Sequence, residues 1–409
     1  SDVYNDNNLR FSTTIPETFF EEKDPQNNLP CQTYLYNEQE SISFSDSQDV
    51  HASFLFCAKG GGSSNKTVFI QGTKADLNPE RFYELLQDNI KALGTSACPP
   101  YTIAVVAGGL SPEQNLMTLK LASCGYVEES DISFRDPELE KRVISIASGC
   151  GYGAQFGGTK AAVEAVVVRL PRHGASCPIS IGVSCSAHRN LKTYITKDGM
   201  FIEKTVTNFN TLEGFSKAVS FAEKNAANTL HIHTSAGIES IMKIIADIKP
   251  GTRMLLSGSI LVARDAAHAR WKKLIDKGKD LPSYTKEYPI CYAGPSRTPK
   301  GFPLGSFGPT TAGRMDSYAE MLMSRNAARI TLAKGNRSTS WKNACKTYNS
   351  CYLGTIGGAA ALITSEYIVS AKIIDYPELG MEAVQVVEVK NLPVFMLING
   401  KGEDFYEQI

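Results

Sequence analysis

The chain has no CxxC pair, no apolar run long enough to cross a bilayer and no excess of either charge, and each absence removes a class of function. Forty-two basic side chains balance forty-two acidic ones, so no whole-molecule field gathers nucleic acid or an anionic membrane. The longest apolar stretches, such as 161–168, are short and interrupted by Glu164, and no signal-peptide pattern opens the sequence. Soluble protein is the expectation. Ten cysteines stand far apart, which argues against a disulfide scaffold and for free thiols in a reducing compartment, serving as inert core residues or metal ligands. The chain also lacks internal repeats, low-complexity tracts and the GxxxxGK[ST] spacing of a phosphate loop.

What is present is a 409-residue chain with 42% apolar residues and 33 glycines, enough for two or three domains with close backbone approaches. Residues 1–50 are polar, and the opening SDVYNDNNLRF has no initiator Met. HASFLFCAK reads as a strand, GGGSSNKT as a turn and TVFIQG as a second strand. In PERFYELLQDNIKALG the residues Phe82, Leu85, Leu86, Ile90 and Leu93 recur at helical spacing, and Gly94 suits the helix end. TIAVVAGG reads as a buried strand, DPELEKRVISIASGCGYG as a helix with Pro137 in its first turn, and AVEAVVVRL as a strand. TYITKDGMFIEKTV reads as a hairpin turning at Asp198-Gly199. Residues 204–228 suit a connection, dividing an N-terminal domain (1–203) from a C-terminal one (229–409). The second half predicts helix, strand, helix over GIESIMKIIADIKPGTRMLLSGSILVARDAAHARWKKLIDKG, then strands from YLGTIGGAAALI and VQVVEVKNLPVFMLING. The fold class is therefore α/β (α+β), in two α/β domains.

The chemistry concentrates in segments rich in small residues. Cys98 in LGTSACPPY and Cys185 in GVSCSAHRN share surroundings of Gly, Ser and Ala, which leave room for a bulky nonprotein group against the backbone. His173 in RLPRHGASCP could be a core histidine, a base or a proton relay. Arg264 in SILVARDAAHA, Thr310, Thr311 and Arg314 in GPTTAGRMDSY, and Lys334 in LAKGNRS sit among glycines and hydroxyls, with Arg10 of NNLRFS a possible fourth cation. Together they suggest a site for a small polyanion, because arginine binds carboxylates in bidentate fashion and lysine supplies a point charge. Gly60, Gly61 and Gly62 could form a turn or a carboxylate-binding loop.

Taken in order, KGGGSSNKT, LGTSACPPY, GAQFGG, RLPRHGASCP, GVSCSAHRN, GSILVARDAAHA, CYAGPSRTPKGFPLGSFGPTTAGRMDSY, LAKGNRS and YPELGMEA resemble class I iron-sulfur fumarate hydratase along nearly the whole chain. The resemblance implies a hydro-lyase of the tricarboxylic acid cycle, interconverting (S)-malate and fumarate at the open iron of a [4Fe-4S] cluster held by three cysteines. It implies that Cys98 and Cys185 are two of those ligands. It implies that Arg10, Arg264, Arg314 and Lys334 hold the substrate carboxylates, that Gly60 to Gly62 line the site, and that His173 and Thr310 stand near the proton transfer. It further implies a cluster-binding first domain, a second domain of the swivelling β/β/α type, a homodimer, and a place in the mitochondrial matrix or the cytoplasm. The family's first cluster cysteine lies in a Cys-Gln-Asp-Thr-Gly-type motif upstream of the segment that NNLRFS resembles, so the third ligand is expected outside this sequence. Cys31-Gln32-Thr33 lacks the aspartate and glycine of that motif. L-Tartrate dehydratase and an inactive fumarase-like subunit are the alternatives.

Overall fold

A computed structural model describes residues 15–16, 22–23, 50–127, 135–172, 176–204 and 229–408. Arg10, Cys31 and His173 lie outside the described residues, as does nearly all of the expected connection at 205–228.

In the first half, a four-stranded sheet is formed by β2 (Val68–Gly72), β3 (Tyr101–Gly109), β4 (Ala162–Arg172) and β5 (Cys177–Cys185). Their order is β2-β5-β3-β4, with β3 parallel to β4 and antiparallel to β5. Every residue of β3 and β5 is buried, because helices cover both faces of the sheet. On one face, α1 (Pro79–Leu93) and α3 (Pro137–Gly149) set Leu86, Ile90 and Val143 against Ile103, Val105 and Ile181. On the other, α2 (Pro112–Ser123) sets Leu119 and Ala122 against Ala104 and Val106. Asn78 caps α1 by accepting from the amides of Glu80 and Arg81, and Gly94 ends it at φ 56°. Each fully buried side chain of this kind contributes roughly 1.5–3 kcal/mol by leaving water.

A separate antiparallel sheet, β1 (Val50–Ala58), β6 (Arg189–Thr196) and β7 (Gly199–Ile202), extends from this body. Thr196 pairs with Gly199, so the hairpin turns on Lys197-Asp198, one residue earlier than the sequence suggests. GGGSSNKT is also more than a turn. Gly61–Asn65 forms one turn of helix, held by Ser64 N donating to Gly60 O and by Asn65 Nδ2 donating to Gly61 O.

The second half is one mixed sheet: β8 (Leu230–His233), β9 (Arg253–Val262), β10 (Ile290–Cys291), β11 (Ile330–Ala333), β12 (Cys351–Thr355), β13 (Ile368–Asp375) and β14 (Val384–Ile398). Strands β8 to β12 run parallel, and β14 lies antiparallel to β12, β13 and β9. Because β14 pairs with both β12 and β9, the ladder β9-β10-β11-β12-β14 closes on itself as a small barrel. Outside it pack α4 (Ile238–Ile245), α5 (Asp265–Asp276) with Trp271, and α6 (Thr339–Tyr348) with Trp341. GGAAALI, read as strand from its apolar run, is instead the start of α7 (Ala360–Tyr367), which buries Ile363 and Thr364. A short apolar run carries no period that separates the two conformations.

Candidate active site

The loop 94–100 that leads into β3 carries Cys98, 4% exposed and at φ 66°, a left-handed conformation unusual for a side-chain-bearing residue. Its amide donates to Thr95 O at 3.0 Å, and the tight turn directs the thiol toward the second half of the chain. There Lys334, just past β11, donates from Nζ to Cys98 Sγ at 2.8 Å. Gly357 closes over the same thiol: a Cβ on Gly357 would lie 2.4 Å from Sγ and 2.9 Å from Lys334 Cδ. Only glycine lets backbone approach this closely. Gly62 takes a third side, where a Cβ would be 3.2 Å from Ser96 O and 3.9 Å from Lys334 Nζ.

Cys185, 5% exposed, ends β5, where it pairs with Tyr101, three residues beyond Cys98. The Tyr101 hydroxyl is pushed up chiefly by burial and lies within the influence of both thiols. Ala187, two residues past Cys185, meets the same glycine pair, since a Cβ on Gly358 would be 3.4 Å from Ala187 Cβ and 3.6 Å from Cys98 Cβ. Cys177 stands at the other end of β5, opposite Gly72. Burial pushes Cys291 and Cys345 up to about 12, as suits inert core thiols. The donor set at Cys98 and Cys185, two buried thiols in walls of bare backbone, fits a bulky thiolate-bound iron-sulfur group in kind. Among the described residues, no group of three or more Cys, His, Asp or Glu gathers around one point, so at most two protein ligands are on hand there.

The cation-rich side is built on the second half. Lys334 N donates to Thr310 O at 3.1 Å and Ala312 N to Lys334 O at 2.9 Å, so the two loops are tied together. Thr310 is 8% exposed, and Arg314 Nη1 donates to its Oγ1 at 3.5 Å. Arg314 also faces Asp265, with Nε to Oδ1 at 3.0 Å and Nη2 to Oδ2 at 2.9 Å. The neighbouring Arg264, ahead of α5, pairs through Nη2 with Glu382 Oε1 at 3.0 Å, while Glu382 Oε2 accepts from Ala266 N at 2.6 Å. Arg264 Nε is buried with no partner among the described residues, a donor available to a carboxylate ligand. Gly294 makes room for this guanidinium, since a Cβ there would be 2.7 Å from Arg264 Cζ.

Of the expected residues, the structure thus gathers Cys98, Gly62, Thr310, Arg314 and Lys334, with Cys185 behind Cys98 and Arg264 joined through Asp265 and Arg314. Gly60 and Gly61 face open space. Sequence reasoning passes over the groups that hold these in place. Gln155, 5% exposed and at φ 106°, donates from Nε2 to Pro99 O (3.1 Å) and Gly357 O (3.2 Å), and its Oε1 accepts from Gly357 N (2.7 Å). It fastens the Cys98 loop of one half to the glycine pair of the other. Arg337, its side chain fully buried, lies over Trp341 at 3.2 Å and pairs with Asp316 at 2.6 Å, tying the loop after β11 to the 3₁₀ turn Ala312–Tyr318. A glutamine between glycines in GAQFGG is the one signal the sequence offers for the first of these.

Residues 1–194 match the family model described as fumarate hydratase (Fumerase), and residues 205–409 match the one described as fumarase C-terminus. The chain is 44% identical over 414 residues to an aerobic class I fumarate hydratase of Salmonella typhimurium, covering all of this chain and 69% of that protein. It is equally similar, 44% over 414 residues, to the anaerobic class I fumarate hydratase of Escherichia coli, covering all of this chain and 73% of that protein. Identity is 41% over 418 residues to a mitochondrial fumarate hydratase of Leishmania major, covering all of this chain and 74% of the relative.

Proposed function

Since this chain belongs to the class I fumarate hydratase family, we propose how its own residues divide the work of that reaction. The chain is a hydro-lyase that interconverts malate and fumarate. In the dehydration direction the C2–O and C3–H bonds of malate break and water leaves. Class I relatives are iron-sulfur enzymes, and we assign Cys98 and Cys185 as two thiolates of a [4Fe-4S] cluster. The third is a thiolate outside the described residues. When bound, the cluster supplies an iron without a protein ligand, a Lewis acid that makes hydroxide a tolerable leaving group.

The remaining roles fall to side chains of the second half. Arg264, through its unpartnered Nε, and Arg314, through the edge not taken by Asp265, bind a substrate carboxylate, and Lys334 neutralises the charge near the thiolate side. Arg10 is assigned to the same carboxylates. Thr310 is placed to pass the C3 proton: the Arg314 guanidinium against Oγ1 favours the alkoxide that a threonine alone would not supply. His173 is assigned to the other end of that transfer. Gly62 lets the substrate approach backbone.

We read residues 1–203 as the cluster-binding domain, 204–228 as the connection and 229–409 as a swivelling β/β/α-type substrate domain. A homodimer is proposed because β1 and β7 leave Phe54, Phe56, Met200 and Ile202 exposed on one face. Residence in the mitochondrial matrix or the cytoplasm fits both a relative named as mitochondrial and the lack of any helix, among the described residues, able to cross a membrane.

The observation that supports this assignment is the 2.8 Å contact of Lys334 with Cys98, between the cation we assign to substrate and the thiol we assign to the cluster. Its test is anaerobic purification of the enzyme and its Cys185→Ser and Arg314→Ala variants, with iron content and fumarate absorbance as readouts. Cys185→Ser should lose iron and activity together. Arg314→Ala should keep its iron and lose on the order of a hundredfold in kcat/KM, as expected when a charge-assisted carboxylate contact is removed. Full iron in the first variant, or an unchanged kcat/KM in the second, removes that residue from the site.

A further inference from the structure

Behind the glycine loop, and outside the substrate and cluster residues, two thiols meet. Cys57, near the end of β1, and Cys124, at the end of α2, are 67 residues apart in sequence yet are brought together by Asn190, which pairs with one and bonds to the other. Three contacts fix their approach. Cys57 pairs with Asn190 across β1 and β6, and Asn190 Nδ2 donates to Cys124 O at 2.8 Å. Lys59, just past the end of β1 and two residues beyond Cys57, donates from Nζ to Ser123 Oγ at 2.7 Å, next to Cys124. Cys57 is exposed, whereas Cys124 is 7% exposed.

The two sulfurs are chemically unequal. The neighbouring Cys57 thiol, the Lys59 ammonium and His188 all favour a thiolate at Cys124, and the pair as a whole holds one proton more tightly than a lone thiol does. One thiolate at neutral pH next to one retained proton is the arrangement of a nucleophile and its resolving partner.

We propose that Cys57 and Cys124 form a reversible redox-modification site, closing to an intramolecular disulfide when the cell's low-molecular-weight thiol pool is oxidised. The Cys124 thiolate attacks a small disulfide RSSR, forming Cys124–S–S–R and releasing RS⁻. The Cys57 thiol then attacks the Cys124 sulfur, forming the Cys57–Cys124 bond and releasing a second thiol. The protein's thiolate and thiol together lose two electrons and one proton, and RSSR becomes RS⁻ and RSH. The new bond shortens the gap between β1 and α2 three residues before Gly60. Its strain therefore passes into the loop of Gly62, where even an added Cβ would meet Ser96 O at 3.2 Å and Lys334 Nζ at 3.9 Å. This last step, unlike the disulfide itself, rests on the proposed site.

The test is anaerobic incubation of the holoenzyme with glutathione disulfide, then alkylation, digestion without reductant and mass spectrometry. Wild type should give a Cys57–Cys124 cross-linked peptide that disappears on reduction. The Cys57→Ser variant should stop at glutathionylated Cys124, and Cys124→Ser should leave Cys57 unmodified. Two freely alkylated cysteines, or a stable glutathione adduct in wild type, would overturn the site. Oxidised wild type should lose about tenfold or more in kcat/KM, recovered with reductant, as expected for a displaced binding loop. Cys57→Ser should not show this reversible loss. A cross-link without loss would overturn the coupling to the glycine loop. An enzyme inactive toward malate before any oxidation would count against the functional assignment alone, since the cross-link is read independently.

Discussion

Replacing Gly357 by alanine adds one methyl group at the point where the two halves meet. The residue has no positive φ, so its backbone accepts alanine and the whole cost is steric. The new Cβ would stand 2.4 Å from Cys98 Sγ, 2.9 Å from Lys334 Cδ and 3.3 Å from Gln155 Oε1. Ordinary contact begins near 3.4 Å, so the thiol or the glycine backbone must retreat by about 1 Å (3.4 − 2.4). Neither is a free end: Cys98 is held in a left-handed turn, and Gly357 is bonded on both its N–H and C=O by Gln155. Overpacking of a closed site costs about 1–3 kcal/mol. A reacting group displaced by about 1 Å costs on the order of a hundredfold in rate. We expect Gly357→Ala to lower the denaturation midpoint, to reduce iron content after anaerobic reconstitution and to lose more activity than iron. Gly149→Ala is the matched control, because its Cβ meets nothing within 4 Å. If Gly357→Ala denatures with wild-type stability and retains full iron and activity, the packing of Cys98 against the second half is wrong.

Gln155→Ala strips partners from Gly357 N–H and Pro99 C=O, each buried group costing about 1–3 kcal/mol when left unmade. Gln155→Glu should do at least as much harm, because its carboxylate has no N–H for Pro99 O or Gly357 O and is buried against both; wild-type stability in either variant would contradict the clamp. His268 is fully buried and held down to about 4 by desolvation. The unfolded chain takes up this proton near pH 6.5 while the folded one does not, so stability falls as pH drops from 6.5 toward 4, by up to about 3 kcal/mol. A His268→Phe variant should show a smaller acid loss over that window in denaturant titrations, and an identical slope would refute it. Glu382→Gln weakens the hold on the Arg264 guanidinium, so KM should rise about tenfold with little change in iron content; an unchanged KM would free Arg264 from dependence on that pair.

Local signals were legible wherever one period dominated. The α1 stripe of Phe82, Leu86, Ile90 and Leu93, and the unbroken apolar run of β3, lead directly to the elements observed. The helical turn at Gly61–Asn65 could not be read that way, since GGSSN has poor helix propensity and is held by backbone and Asn65 contacts. For the site, the cations and thiols could be named because glycine and small residues surround them in sequence. Their partners could not: Glu382 lies 118 residues from Arg264, and Lys334 lies 236 from Cys98. Such pairings are decided by barrel closure and by the docking of the two halves, which no local pattern encodes.

The place of β14 in the barrel has a consequence for how the enzyme is made. Its three partners, β9, β12 and β13, all precede it in the chain, so a nascent polypeptide reaches Val384 with the barrel seam still open. Until β14 emerges, β9 and β12 present unpaired amides and carbonyls, and the apolar inner face of the sheet stays wet. Arg264 follows β9, one wall of that seam, whereas Lys334 follows β11 in the interior of the ladder. The barrel can therefore close only after β14 has been made, late in the synthesis of this half of the chain.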